Sequence, residues 1–136
     1  MFRWMMKRID QLGPHGFRAV LWHQGESDVE MASDEYYEKL KRVIDTSRTE
    51  AGWEIPWFVA QVSYHNPDKP KFDSTRTAQA KLWADGVALE GPDTDTLTGD
   101  HRDFKGKGIH FSPKGLKAHG LMWADKVKPF IDKSVQ

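Results

Sequence analysis

The sequence predicts an α/β fold built on a parallel sheet. Short apolar runs bounded by turn residues alternate with longer segments of helical periodicity, in the order helix, strand, helix, strand, helix, strand, loop, helix. Strands separated by helices pair in parallel through right-handed crossovers. A further observation places the chemistry. The first apolar run, Ala19 to Trp22, passes directly into a dense polar turn, His23-Gln24-Gly25-Glu26-Ser27-Asp28. Ligands of open α/β sheets bind just beyond the carboxyl ends of the strands. At 136 residues the expectation is one domain, 1–136.

Each element has its own signal. Phe2, Met5, Met6, Ile9 and Leu12 fall three and four apart, so 2–12 reads as an amphipathic helix that Gly13-Pro14 ends. Phe17 to His23 is the first strand. Ser33 or Asp34 caps the next helix, which runs to about Glu50 with Tyr36, Tyr37, Leu40, Val43 and Ile44 inward and stops at Ala51-Gly52. Trp57 to Val62 is the second strand. Asn66 to Asp73, rich in Pro, Lys and Asp, reads as a surface loop. Ser74 to Ala84 is a third helix, with Ala78 and Leu82 inward, and Val87 to Leu89 a short third strand. Residues 90–109 read as a loop, long enough inside a compact domain to expect function. Ser112-Pro113 is a helix start, a capping hydroxyl followed by Pro at the first helical position. The last helix carries Leu116, Leu121, Trp123, Val127, Phe130 and Ile131, with Pro129 a point where it kinks or ends.

Composition excludes several classes. Twenty basic residues balance twenty acidic ones, so bulk charge gives no reason to expect nucleic acid or an anionic membrane as partner. There is no cysteine, which removes disulfides and thiolate metal sites. No apolar run has transmembrane length, and the first residues lack the apolar core of a signal peptide. No His-Glu-x-x-His or tight His pair supports a metal, and no Gly-rich phosphate loop is present.

The string Trp22-His23-Gln24-Gly25-Glu26-Ser27-Asp28 resembles the third motif block of the SGNH-type carbohydrate esterases. It is most similar to the group of sialate O-acetylesterases and acetylxylan esterases, carbohydrate esterase family six. Later segments agree in order: Arg76-x-x-Gln79, Gly91-Pro92-Asp93-Thr94-Asp95, and Gly108-Ile109-His110-Phe111-Ser112 followed by Gly115. The resemblance implies a three-layer flavodoxin-like parallel sheet, here incomplete at its N-terminus. It implies hydrolysis of acetyl esters on sialic acid or xylan-like sugars by a Ser-His mechanism, without metal or organic cofactor. It also implies an acetylated carbohydrate as substrate.

In that resemblance His110 is the catalytic base, since an imidazole titrates near neutrality. The family's acid stands three residues before this His, where this chain has Lys107, which cannot accept a hydrogen bond from the imidazole. Two carboxylates are alternatives, Glu26 and Asp103, and Glu26 is preferred. Gln24 and Gly25 are the oxyanion-hole candidates. His23, Arg76 and Gln79 are candidates for contacting substrate, Arg76 through a sugar carboxylate. Asp93 and Asp95 read as turn-shaping. The family's Gly-Gln-Ser nucleophile motif does not occur, and neither Ser27 nor Ser63 matches it. The expectation is therefore a nucleophile supplied by a missing N-terminal segment or a partner chain, an isolated chain without activity, and a first strand with one open edge, prone to self-association. The rival reading is a non-catalytic sugar-binding module whose Trp22, Trp53, Trp57 and Tyr64 stack on sugar rings.

Overall fold

The computed structural model describes residues 2–134, with Ser134 described for its backbone alone. The elements run α1 (Phe2–Leu12), β1 (Val20–Trp22), α2 (Ser33–Ala51), β2 (Trp57–Gln61), α3 (Asp73–Ala84), β3 (Leu89–Asp93), 3-10 turns at Thr94–Thr96 and Gly99–His101, a single turn α4 (Asp103–Gly106), and α5 (Pro113–Ser134). The three strands form one parallel sheet in the order β1-β2-β3.

The central strand shows why the layers form. Residues alternate between the two faces of a strand. Trp57 and Val59 turn to one face and join Tyr36, Tyr37, Leu40, Ile44, Ala78, Leu82 and Ile9 in the larger core, under α1, α2 and α3. Phe58 and Ala60 turn to the other and meet Trp123, Val127 and Phe130 of α5. A strand covered on both faces reads as a continuous apolar run, and Trp57 to Ala60 is buried throughout. The result is the three-layer α/β arrangement expected from the sequence. Among the described residues β1 pairs with β2 alone, and Leu21 at its centre is 47% exposed.

Several boundaries differ from the expected ones. β1 covers only Val20–Trp22 of the expected 17–23. The third strand lies at Leu89–Asp93 rather than 87–89, so the first part of the segment read as a loop is in the sheet. Gly91-Pro92 argues against a strand, but Pro is tolerated on an edge strand, and the β2–β3 register shifts between Val59 and Gln61 at that point. Neither Ser33 nor Asp34 caps α2. Ala32 occupies the cap position without a side-chain bond, and Asp34 and Glu35 instead place negative charge in the first turn. Ser112 caps α5 as expected, its Oγ accepting from the Gly115 N–H at 3.1 Å. Pro129 lies inside α5 and does not end it. Leu116 and Leu121 of α5 are exposed.

The buried indole of Trp57 donates to Ser47 Oγ at 3.1 Å, and Ser47 in turn donates to Ile44 O at 2.7 Å. Both residues have no exposed surface. Ser47→Ala leaves the indole N–H without an acceptor. Urea unfolding should show a loss of about 1–3 kcal/mol.

Candidate functional site

The carboxyl ends of the three strands converge on one polar region, and an ionic knot holds it together. Asp95, just beyond β3, is fully buried. Its Oδ1 accepts from the Ser63 N–H (2.8 Å) and the Tyr64 N–H (2.9 Å) just beyond β2. Its Oδ2 accepts from Ser63 Oγ (2.7 Å) and Arg76 Nη1 (2.8 Å). Arg76 on α3 also donates to both Asp93 oxygens at 2.8 Å and to Gln61 Oε1 at 2.7 Å. The Asp93 hydrogen bonds lead in raising the Arg76 pKa. Burial alone would raise Asp93, but Arg76 outweighs it and holds the carboxyl below its ordinary value.

Arg76, a candidate for contacting substrate, has its guanidinium engaged by Asp93, Asp95 and Gln61 and its side chain 14% exposed. Gln79 is fully buried, its Oε1 accepting from the Val62 N–H at 2.9 Å and its Nε2 donating to Val62 O at 2.9 Å. It replaces a missing strand partner for the chain leaving β2. One helical turn separates Arg76 and Gln79, as expected, but their shared face points into the protein. The knot also settles Ser63, whose hydroxyl is buried on Asp95.

The turn after β1 is equally committed. Gln24 donates through its amide to Asp28 Oδ2, and its carbonyl accepts from the Tyr36 hydroxyl at 2.7 Å. The Gly25 N–H donates to Glu26 Oε2 at 3.0 Å. Both oxyanion-hole candidates therefore hold carboxylates of their own turn. Gly25 has to be glycine: a Cβ there would lie 2.1 Å from Val62 O and 2.7 Å from Gln79 Nε2.

His23 Nε2 lies 2.8 Å from Thr94 Oγ1, and its Nδ1 lies 3.8 Å from Glu26 Oε1. Hydroxyl, imidazole and carboxylate in this order look like a nucleophile triad. Thr94 is fully buried, however, so no ester carbonyl reaches it. Burial, then the nearby Arg102 cation, lowers the His23 pKa, so the ring is neutral at pH 7. Its other neighbours are His119, edge-on at 4.7 Å, and Phe111 at 6.0 Å. His119 stacks on Phe111 at 4.7 Å and accepts the Trp123 indole N–H at 2.9 Å through Nε2. Burial, then His23 and Arg102, push the His119 pKa down to about 4.

The loop between the 3-10 turns and α5 carries His110. Its imidazole is 87% exposed, with Nδ1 3.5 Å from Asp103 Oδ2. Of the two carboxylates considered from the sequence, the structure brings Asp103 to His110. Glu26, the preferred one, is placed with His23 and Gly25 instead. The Asp103 N–H donates to His110 O at 2.9 Å, and Arg102 and Phe111 form an antiparallel bridge. Asp103 therefore stands opposite His110 across a tight loop rather than one turn before it. Gly108 makes room, since a Cβ there would lie 1.5 Å from Asp103 Oδ1. Phe104 and Lys105 close the loop with φ of 48° and 56°. A left-handed conformation costs an L-residue about 1–2 kcal/mol.

Arg102 fixes this loop from inside. It is 3% exposed. Its guanidinium donates to the carbonyls of Leu97 (2.5 Å), Ile109 (2.7 Å) and Thr94 (3.1 Å), and lies over the rings of Tyr64 (3.7 Å) and Phe111 (4.4 Å). The sequence motifs include Thr94 and Phe111 without assigning them a role, and Arg102 and His119 lie outside those motifs. The one available signal was His119 and Trp123 four apart on a helix. Of the aromatics considered as a sugar platform, Trp57 and Tyr64 are buried and Trp53 packs against His15 and Phe17. Among the described residues no three His, Asp or Glu side chains are placed to hold a metal ion, and no helix is long and apolar enough to cross a membrane.

Two outcomes follow from these contacts. Asp95→Asn leaves Arg76 short of a buried partner and should lower stability by about 3–5 kcal/mol in urea unfolding. His119, lowered from 6.5 to about 4, binds fewer protons folded than unfolded between those values. Its contribution is complete above pH 6.5 and is lost as the pH falls toward 4. Melting temperature should therefore drop on acidification from pH 7 to 5, and His119→Gln should flatten that drop.

Comparisons with curated proteins and with solved structures found no significant match. A family model does match, over residues 1–128, and its description is carbohydrate esterase, sialic acid-specific acetylesterase. The match spans β1 with its polar turn, the Arg76 knot, the Asp103–His110 loop and most of α5. The chain belongs to the sialic acid-specific acetylesterase family of carbohydrate esterases.

Proposed function

We propose that this chain carries the acid-base half of a serine-type carbohydrate O-acetylesterase, acting on O-acetyl groups of sialic acid or xylan-like sugars. The observation that carries the reading is the Asp103–His110 pair. Asp103 Oδ2 stands 3.5 Å from Nδ1 of an imidazole that is otherwise exposed, and closing that gap to hydrogen-bond length would keep the proton on Nδ1 and leave Nε2 as the basic nitrogen. That is the arrangement a general base needs. In acylation Nε2 takes the proton of a Ser hydroxyl as its oxygen attacks the acetyl carbonyl, then delivers it to the departing sugar oxygen. In deacylation it activates water in the same way. Asp103 holds the tautomer and stabilises the imidazolium. Gly25 N–H and the Gln24 amide serve the oxyanion once the acetyl oxygen displaces the carboxylates they now hold.

The nucleophile comes from outside these 136 residues, from a preceding segment or a partner chain. The serines support this reading: Ser63 is buried on Asp95, Ser112 caps α5, and among the described residues no hydroxyl is hydrogen-bonded to His110. The open edge of β1, beside the Gly25 turn, is a natural place for the strand that brings it, or for a second copy of the chain.

Purified alone, the 136-residue chain should release no acetate from p-nitrophenyl acetate above the uncatalysed rate, whereas the protein purified from its own cells should. Turnover by the isolated chain that disappears in His110→Ala would show that the nucleophile is internal and overturn this part of the reading.

A further inference from the structure

We infer that Phe104 is a stacking platform for the sugar ring of the substrate, set beside the Asp103–His110 pair. The inference rests on the carbohydrate esterase reading and deepens it by naming the residue that recognises the sugar. An exposed apolar side chain is ordinary by itself. Phe104 differs in three ways. It is 78% exposed, the most exposed large apolar side chain among the described residues. It has a φ of 48°, and Lys105 beside it 56°, left-handed values at two consecutive residues that are not glycine. It directly follows Asp103, and its ring lies over the Gly108 backbone, where a Cβ would meet Cδ2 at 2.8 Å.

Strain of this kind persists only where surrounding structure imposes it, and it gathers at ligand-contacting sites. The surroundings here are specific. The Gly108 N–H donates to Asp103 O at 3.1 Å and the Lys107 N–H to Phe104 O at 3.3 Å. The Asp103 N–H holds His110 O, and Arg102 holds Ile109 O from inside the protein. The loop thus brings Asp103 back to His110 and turns Phe104 outward at the same place. A pyranose offers a face of C–H bonds with positive partial charge, which suits the negative face of an aromatic ring. A sugar stacked on Phe104 lies next to the imidazole that serves its ester.

The test is sugar binding, read by saturation-transfer NMR with the methyl α-glycoside of N-acetylneuraminic acid, which carries no acetyl ester to be hydrolysed. The wild-type protein should transfer saturation to the pyranose ring protons. Phe104→Ala and Phe104→Leu should weaken the Kd about three- to tenfold, and Phe104→Trp should restore it to within about twofold. Phe104→Gly should melt at the wild-type temperature or higher, because it relieves the left-handed strain, and should still bind weakly. An unchanged Kd in Phe104→Ala, or no saturation transfer by the wild-type protein, would overturn the inference. Both readouts use the protein purified from its own cells, and acetate release from an O-acetylated N-acetylneuraminic acid, measured alongside, separates the two readings. Release without Phe104-dependent binding removes the platform and leaves the esterase. Phe104-dependent binding without release leaves the platform and removes the esterase.

Discussion

Everything at the candidate base depends on one buried cation. Among the described residues Arg102 has no carboxylate partner within hydrogen-bond reach, and burial lowers its pKa from the ordinary value. An uncompensated buried charge is expensive, so its surroundings have to solvate it. Three backbone carbonyls and the faces of two aromatic rings do so. Those carbonyls belong to Thr94 and Leu97 near the start of the loop and to Ile109 near its end. Solvating the guanidinium therefore folds the segment after β3 back upon itself. The Arg102–Phe111 bridge and the Asp103 N–H to His110 bond extend that fold by one residue each. Asp103 and His110 face each other because Arg102 is satisfied beneath them.

A second cation does the same for the sheet. Arg76 ties α3 to β2 through Gln61 and to the end of β3 through Asp93, and Asp95 passes the connection on to Ser63 and Tyr64. Most polar residues in the family motifs of this chain are thus occupied in holding the frame. Gln79, Arg76, Asp93, Asp95 and Gly25 set where strand ends stop and turns begin. Few side chains are left outward-facing for chemistry, and His110 is the clearest of them. A rigid frame with a small exposed working surface suits a reaction that needs an imidazole held in one tautomer.

The layers were legible in the sequence because burial on two faces leaves a plain mark. Trp57 to Ala60 is apolar without interruption, and α1 and α2 carry their cores at helical spacing. β3 was misplaced because Gly91 and Pro92 are turn residues by local preference, and only the edge position of the strand makes them acceptable. His110 stands out as a candidate because its motif is dense. Asp103 ranks second to Glu26 in the sequence because it approaches through a left-handed loop that spacing does not reveal, while Glu26 sits in the richer motif. Arg76 and Gln79 read as ligand-contact candidates since polar pairs on one helix face do face something together, and the structure shows them engaged with strand ends. Nothing in sequence distinguishes a cleft from a buried strand end. Arg102 carried no signal, because its partners are backbone carbonyls, which every residue has.

The most direct measurement of the account is acetate release from an O-acetylated N-acetylneuraminic acid by the protein purified from its own cells, compared between Asp103→Asn and Glu26→Gln. If Asp103 orients His110, Asp103→Asn loses at least about a hundredfold in kcat with little change in KM, and Glu26→Gln retains most of the wild-type kcat. The reverse pattern, with Asp103→Asn close to wild type and Glu26→Gln inactive, would contradict the assignment of the Asp103–His110 pair as the base.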